Sequence, residues 1–115
     1  YIFNKNIAKA QTIGEKESQL AYSQTYEPLL KGYNIALDVL GKRVDTYAFS
    51  SLIDNKNEVN FFIGGAYGFQ REFLNKCDSV ISLSDLTMAH KVANVVLTEQ
   101  IFRSLCIQNN HPYHK

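Results

Sequence analysis

An α/β fold, a mainly parallel sheet with helices on both faces, is predicted by three observations. Short apolar runs alternate with helix-permissive segments along the chain, the pattern that builds strand–helix–strand layers. The clearest run, Val59-Asn60-Phe61-Phe62-Ile63, stops abruptly at Gly64-Gly65. The length, 115 residues, is that of one domain, so residues 1–115 are read as a single unit.

Each element follows from its residues. Tyr1-Ile2-Phe3 looks like the end of a strand entered without its beginning, and the expectation is a truncated or partly ordered chain. Residues 7–31 are polar and helix-permissive, with Glu15, Lys16, Glu17 and Gln19 as good helix formers. Leu20, Tyr22, Tyr26, Leu29 and Leu30 form its expected buried stripe, and Gly32 its stop. Residues 35–39 form a short apolar run, a buried-strand candidate, and 41–43 a loop. Asp45 or Thr46 caps a helix running to about Asp54, with Phe49, Leu52 and Ile53 inward. After the strand at 59–63 come a short helix at 69–77, a strand at 80–83 and a loop at 84–87. Residues 89–107 carry the longest apolar helix pattern. Pro112, which lacks an N–H, ends any helix and stiffens the tail.

Composition narrows the function. The apolar fraction, 45%, suits a globular core, and no run approaches a membrane span. Twelve basic residues against eleven acidic give a net charge of +1, so bulk attraction to nucleic acid is excluded as a mode of binding. Any nucleic-acid role uses a local patch or shape. Cys77 and Cys106 fit no metal or redox spacing and read as buried thiols in a reducing compartment, hence the cytoplasm.

In parallel sheets, ligands bind outside the carboxyl ends of strands. Three such ends converge as candidates: Leu37-Asp38, Gly64-Gly65 and the loop Leu83-Ser84-Asp85-Leu86-Thr87-Met88. Gly64-Gly65-Ala66-Tyr67-Gly68 lets backbone approach a ligand, yet lacks the spacing and the lysine of a phosphate cradle. A plain tight turn explains it equally. The 83–88 loop suits a flat heterocycle with polar edges, while Thr87 also suits a helix cap. Glu99 and Arg103 are spaced four apart, Glu first, the favoured order for a helix ion pair. Arg103 reads either as a surface pair or as a cation at a subunit contact or a phosphate. His90, in the first turn of the long helix, reads as structural. The ending Asn110-His111-Pro112-Tyr113-His114-Lys115 concentrates two imidazoles and a phenol in a short tail. From composition alone an ordinary packed terminus is the favoured reading over a proton-handling site.

Four stretches in order resemble the ribosomal RNA large subunit methyltransferase H family of the SPOUT (knotted) superfamily. They are Phe61-Phe62-Ile63-Gly64-Gly65, Leu83 through His90, Leu97-Thr98-Glu99-Gln100-Ile101-Phe102-Arg103, and the Asn110 to Lys115 ending. The resemblance covers the chain from about Gly32 onward and is weaker before it. It implies a C-terminal deep trefoil knot, which periodicity cannot show, since knots are exceptions to ordinary topology. It implies S-adenosylmethionine held by Leu37, Gly64, Gly65 and Leu83, Ser84, Asp85, Leu86, Thr87 and Met88. It implies a homodimer with its active site completed across the interface, no metal, and methylation of N3 of a pseudouridine in 23S ribosomal RNA of assembled ribosomes. The tail then supplies His114 as base and Tyr113 as its orienting or nucleotide-contacting partner, with Arg103 neutralising a phosphate or ordering the partner's tail.

The chain departs from the family pattern twice. Many members read Gly-Gly-Pro-Glu-Gly where Gly64-Gly65-Ala66-Tyr67-Gly68 stands, and Thr-Leu-Pro-His where Thr87-Met88-Ala89-His90 stands. The resemblance also leads to the expectation that a strand and helix opening the family's fold are missing from this sequence. Competing expectations are a knotted methyltransferase acting on another RNA, a non-catalytic ribosome-binding module, and a generic nucleotide-binding domain. The last lacks its phosphate cradle.

Overall fold

The computed structural model describes residues 15–64 and 68–114, with side chains from Gln19 onward. The expected strand end at 1–3, the first part of the helical stretch at 7–31, and Gly65 lie outside the described residues.

Three strands form one parallel sheet in the order β2-β1-β3: β1 (Tyr33–Arg43), β2 (Val59–Ile63) and β3 (Ser79–Ser82). Helix α1 (Glu15–Tyr26) runs into a 3-10 turn at Glu27–Leu29. Between the strands lie α2 (Thr46–Ile53) and α3 (Arg71–Lys76), and α4 (His90–Gln108) follows β3. The alternating pattern thus gives the α/β, parallel-strand architecture expected.

Helices cover both faces because β1 alternates large side chains across the sheet. On one face Ala36 packs with Ala21, Tyr22 and Tyr26 of α1 and with Phe62, Phe69 and Phe73. The Phe69 and Phe73 rings stack at 4.9 Å, and Tyr26 donates from its hydroxyl to the Ile63 carbonyl. On the other face Ile35, Leu37 and Ile81 meet Phe49 of α2 and Leu97 of α4. Polar links set α2 against α4: Thr46 Oγ1 donates to Gln100 Oε1 at 3.0 Å, and Gln108 Nε2 to the Ser50 carbonyl at 3.2 Å.

Several expectations are corrected. In the α1 stripe Tyr22 and Tyr26 are buried, but Leu20 and Leu29 are exposed; the buried face runs through Ala21 and Ser23 instead. The helix ends in the Pro28-containing 3-10 turn, ahead of Gly32. Residues 41–43 are strand, not loop. Ile81 pairs with Leu37 and again with Lys42, so residues 38–41 bulge out and β1 then rejoins β3. Gly41 permits the return, because a Cβ there would lie 2.7 Å from the Ile81 carbonyl carbon. Cys106 is buried as expected, whereas Cys77 is only half-buried.

Asp45 caps α2 as expected, its Oδ1 accepting from Ala48 N–H at 2.7 Å. Thr87 does not cap α4: the capping position is Ala89, at φ −60° and ψ 150°, with no side-chain cap. A proline adopts that backbone, so alanine in place of the family's proline leaves the helix entry unchanged.

Candidate active site

The carboxyl edge of the sheet gathers the residues selected from the sequence. Leu37 pairs with Ile63, which Gly64 follows, and with Ile81, two residues before Leu83. The 83–88 loop leaves this edge and leads into α4. Its shape is set locally: Ser82 Oγ donates to the Ser84 carbonyl at 2.9 Å, and Leu86 N–H to Ser84 Oγ at 3.0 Å. Arg43 Nη1 donates to Asp85 Oδ2 at 3.0 Å, tying the end of β1 to the loop. Leu40 and Leu86, one on the bulge and one on the loop, are 92% and 75% exposed, leaving apolar surface at the edge.

The edge is open rather than a closed cavity. A groove of about 350 Å³ instead runs beside β2, lined among others by Tyr26, Asn60, Phe61, His90 and Leu97. A wider one of about 710 Å³ follows Lys42, Arg43, Asp45 and Ile81. No sequence-selected cofactor residue lines either. Gly64 is held close by its own turn, since a Cβ would lie 3.1 Å from the Phe69 ring and 3.2 Å from the Gly68 carbonyl carbon. A side chain there would be tight against Phe69 and Gly68. His90 Nδ1 stands 3.3 Å from the Gly64 carbonyl, which anchors α4 on the glycine turn.

The tail is built from the end of α4. Asn110 adopts φ +57°, the left-handed conformation that terminates helices and that asparagine tolerates. Its N–H donates to the Ile107 carbonyl at 3.2 Å, and His111 N–H to the Cys106 carbonyl at 2.7 Å. These two bonds form a Schellman motif, so Asn110, and not Pro112, ends the helix. The chain then doubles back along α4. Tyr113 N–H donates to His111 Nδ1 at 3.2 Å, closing the turn.

The reversal brings together the three residues chosen for chemistry. Arg103 Nε donates to Glu99 Oε1 at 2.7 Å, and Nη1 contacts His114 Nδ1 at 3.0 Å. The Tyr113 ring lies against Phe102 at 4.8 Å, with the Arg103 guanidinium 4.8 Å from its centroid. The His114 ring meets Tyr47 of α2 edge-on at 5.0 Å. Hydrogen bonding to Glu99 raises the Arg103 pKa, with smaller electrostatic contributions from Glu99 and Tyr113. A guanidinium only donates, so His114 Nδ1 accepts and the neutral ring carries its proton on Nε2.

One separation shapes the site. His90 touches the glycine turn, and Arg103 lies thirteen residues along the same helix. At the α-helical rise that is about 20 Å. Within one chain, the tail therefore lies about 20 Å along α4 from the Gly64 contact.

A family model described as "Predicted SPOUT methyltransferase" matches residues 3–114. The ribosomal RNA large subunit methyltransferase H of Wolinella succinogenes is 57% identical over 116 residues, covering 99% of this chain and 75% of its own length. Those of Campylobacter concisus and Sulfurovum sp. are each 51% identical, covering 99% of this chain and 76% and 75% of their own. The chain belongs to the ribosomal RNA large subunit methyltransferase H family.

Membership in this SPOUT methyltransferase family implies a methyl donor. The sheet edge fits one in two respects. The bare leucines offer apolar surface to a flat heterocycle. The space beside Gly68, which a Cβ would fill to within 3.0 Å of Asp38 Oδ2, leaves a carboxylate accessible to a cationic group. Among the described residues no group of His, Cys, Asp and Glu could hold a metal ion, and no helix is long and apolar enough to cross a membrane. Sequence reasoning missed Tyr47 and Asn110. An exposed Tyr after a helix cap carries no signal of its contact with the tail, but Asn before His-Pro at a helix end does signal a left-handed cap.

Proposed function

We propose that this chain, as a single SPOUT domain, transfers a methyl group from S-adenosylmethionine to N3 of a pseudouridine in 23S ribosomal RNA, acting as a homodimer on the assembled ribosome in the cytoplasm. The observation that carries the reading is the separation of the two halves of the site. Glu99, Arg103, Tyr113 and His114 form one cluster, while Gly64 lies about 20 Å away along α4. Transfer requires reacting atoms roughly 3–3.5 Å apart. A second copy, presenting its tail to the first copy's edge, supplies that proximity twice over in a two-fold dimer.

The exposed side of α4 supports the same reading. Val92, Val95, Phe102 and Leu105 are half exposed or more, at 51%, 68%, 50% and 50%. Exposed apolar side chains gathered on one side of a helix suit an association site. The relatives' name, ribosomal RNA large subunit methyltransferase H, supports the class of substrate.

S-adenosylmethionine, held by Leu37, Gly64, Gly65 and residues 83–88, would supply the methyl group. The imide N3–H is weakly acidic, so its proton must leave before or during attack, and a positioned base assists. His114 takes that proton once Arg103 releases Nδ1, and Tyr113 orients the ring or stacks on the nucleotide. Arg103, freed from His114, faces a phosphate or the partner's tail. The net charge of +1 agrees with recognition of a preformed ribosomal surface rather than of free RNA.

The test is transfer of labelled methyl from S-adenosylmethionine into ribosomes lacking the modification, followed by nucleoside analysis. N3-methylpseudouridine is expected. Label in a different nucleoside would move the reading to another RNA target, and no label from folded protein would leave a ribosome-binding module.

A further inference from the structure

Resting on the methyl-donor reading above, we infer that the Asp38 carboxylate holds the positively charged end of the donor. Asp38 follows Leu37 directly at the carboxyl edge and opens the bulge of β1. Its two oxygens have different surroundings. Oδ1 accepts from Leu40 N–H at 2.9 Å, which shapes the bulge. Oδ2 faces Gly68, which adopts φ +73° and whose Cβ, were there one, would lie 3.0 Å away. Among the described residues no donor or cation meets Oδ2. The nearby cation on the edge, Arg43, is engaged by Asp85 at 3.0 Å.

A half-buried carboxylate with an oxygen unmatched is stabilised by a cation or a strong donor. Adenine and ribose carry no formal charge. The donor's sulfonium and its amine both do, and either fits an acidic group beside an apolar rim. Gly68 leaves this approach free of a side chain. Sequence patterning placed Leu37-Asp38 at a candidate ligand-binding strand end, and the resemblance then assigned a donor contact to Leu37 but not to Asp38.

The discriminating variant is Asp38→Asn, which retains an oxygen for Leu40 N–H and removes the charge. Binding of S-adenosylmethionine, S-adenosylhomocysteine and 5′-methylthioadenosine to the full chain is measured by calorimetry. The affinity for S-adenosylmethionine is expected to fall about tenfold, as for loss of one charge pair at a partly exposed site, while 5′-methylthioadenosine, which has neither cationic group, binds as before. Joint weakening of S-adenosylhomocysteine identifies the amine as the contact, and its unchanged binding identifies the sulfonium. Either supports the inference. Equal weakening of all three ligands, or no change in any, overturns it. Failure of the unsubstituted chain to bind any of the three removes the donor reading itself and is a separate outcome. An unchanged urea midpoint verifies the fold; if Asp38→Asn unfolds, Asp38→Ser, also an acceptor for Leu40, replaces it.

Discussion

Arg103 Nη1 lies 3.0 Å from His114 Nδ1, a contact in which a neutral imidazole must accept at Nδ1. Because the guanidinium can only donate, the ring proton sits on Nε2. Arg103→Ala should release Nδ1 and loosen the ring, so the imidazole ¹⁵N shifts should move from the Nε2–H pattern towards a tautomer mixture. His114→Ala should lower methyl transfer by about 10²–10⁴-fold at saturating ribosomes and donor, the usual loss for a positioned base, with the unfolding midpoint unchanged. Wild-type turnover in this variant would remove His114 from the chemistry.

The separation of the two half-sites makes a complementation experiment decisive. His114→Ala and Gly68→Val chains should each be inactive as pure dimers. Random mixing places an intact tail opposite an intact edge in one of two sites of each heterodimer, so about a quarter of wild-type activity should return. No recovery after verified subunit exchange would place both halves of the site within one chain.

Asn110 is the hinge of the tail at φ +57°. Asn110→Gly should leave stability and activity close to the starting level. Asn110→Val should lose about 1–2 kcal/mol, the penalty for a left-handed β-branched residue, and should reduce methyl transfer further by moving Tyr113 and His114. Chemical denaturation and a turnover assay separate the two effects.

Gly41→Ala tests the return of β1 to β3. The added methyl would stand 2.7 Å from the Ile81 backbone, where no flexible side chain can yield. A loss of about 1–3 kcal/mol is expected, read from urea unfolding. Unchanged stability would mean that the strand rejoins β3 less closely.

Cys77 gives a pH signature. Burial, assisted by the charge of Asp78, pushes its thiol from 9.0 up to about 11. The unfolded chain therefore loses the proton first as pH rises. The stability this group contributes is complete below pH 9 and is lost as pH approaches 11. Alkylation should show the same shift: at pH 8 the thiolate population, and with it the iodoacetamide rate, should be about 100-fold below that of an unperturbed thiol. An inflection near pH 9 would contradict the burial argument.

Much of the architecture was readable in local pattern, for stated reasons. Val59–Ile63 matches its expected bounds because an apolar run between polar residues and glycine leaves little choice. Asp45 is a legible cap because its carboxylate serves a donor three residues away. Non-local facts were not legible. Gly41-Lys42-Arg43 has loop composition, yet it is strand because Ile81-Ser82, far along the chain, pairs with it. The members of the candidate site were picked from strand ends, a helix pair and the tail, and the resemblance assigned their roles. Their grouping, with His114 on Arg103 and Tyr47, depends on a left-handed residue and a helix contact that no periodicity encodes.

Ile81 grips β1 on both sides of the bulge, at Leu37 and at Lys42. The bulge that carries Asp38 and Leu40 is thus defined by a strand made some forty residues later. Contacts between distant positions form only after the intervening chain is closed. On the ribosome that synthesises it, β1 can emerge and meet β2 without acquiring a mouth. The opening takes shape when β3 arrives, so nascent chains stopped before Ser79 should lack the edge that receives the donor.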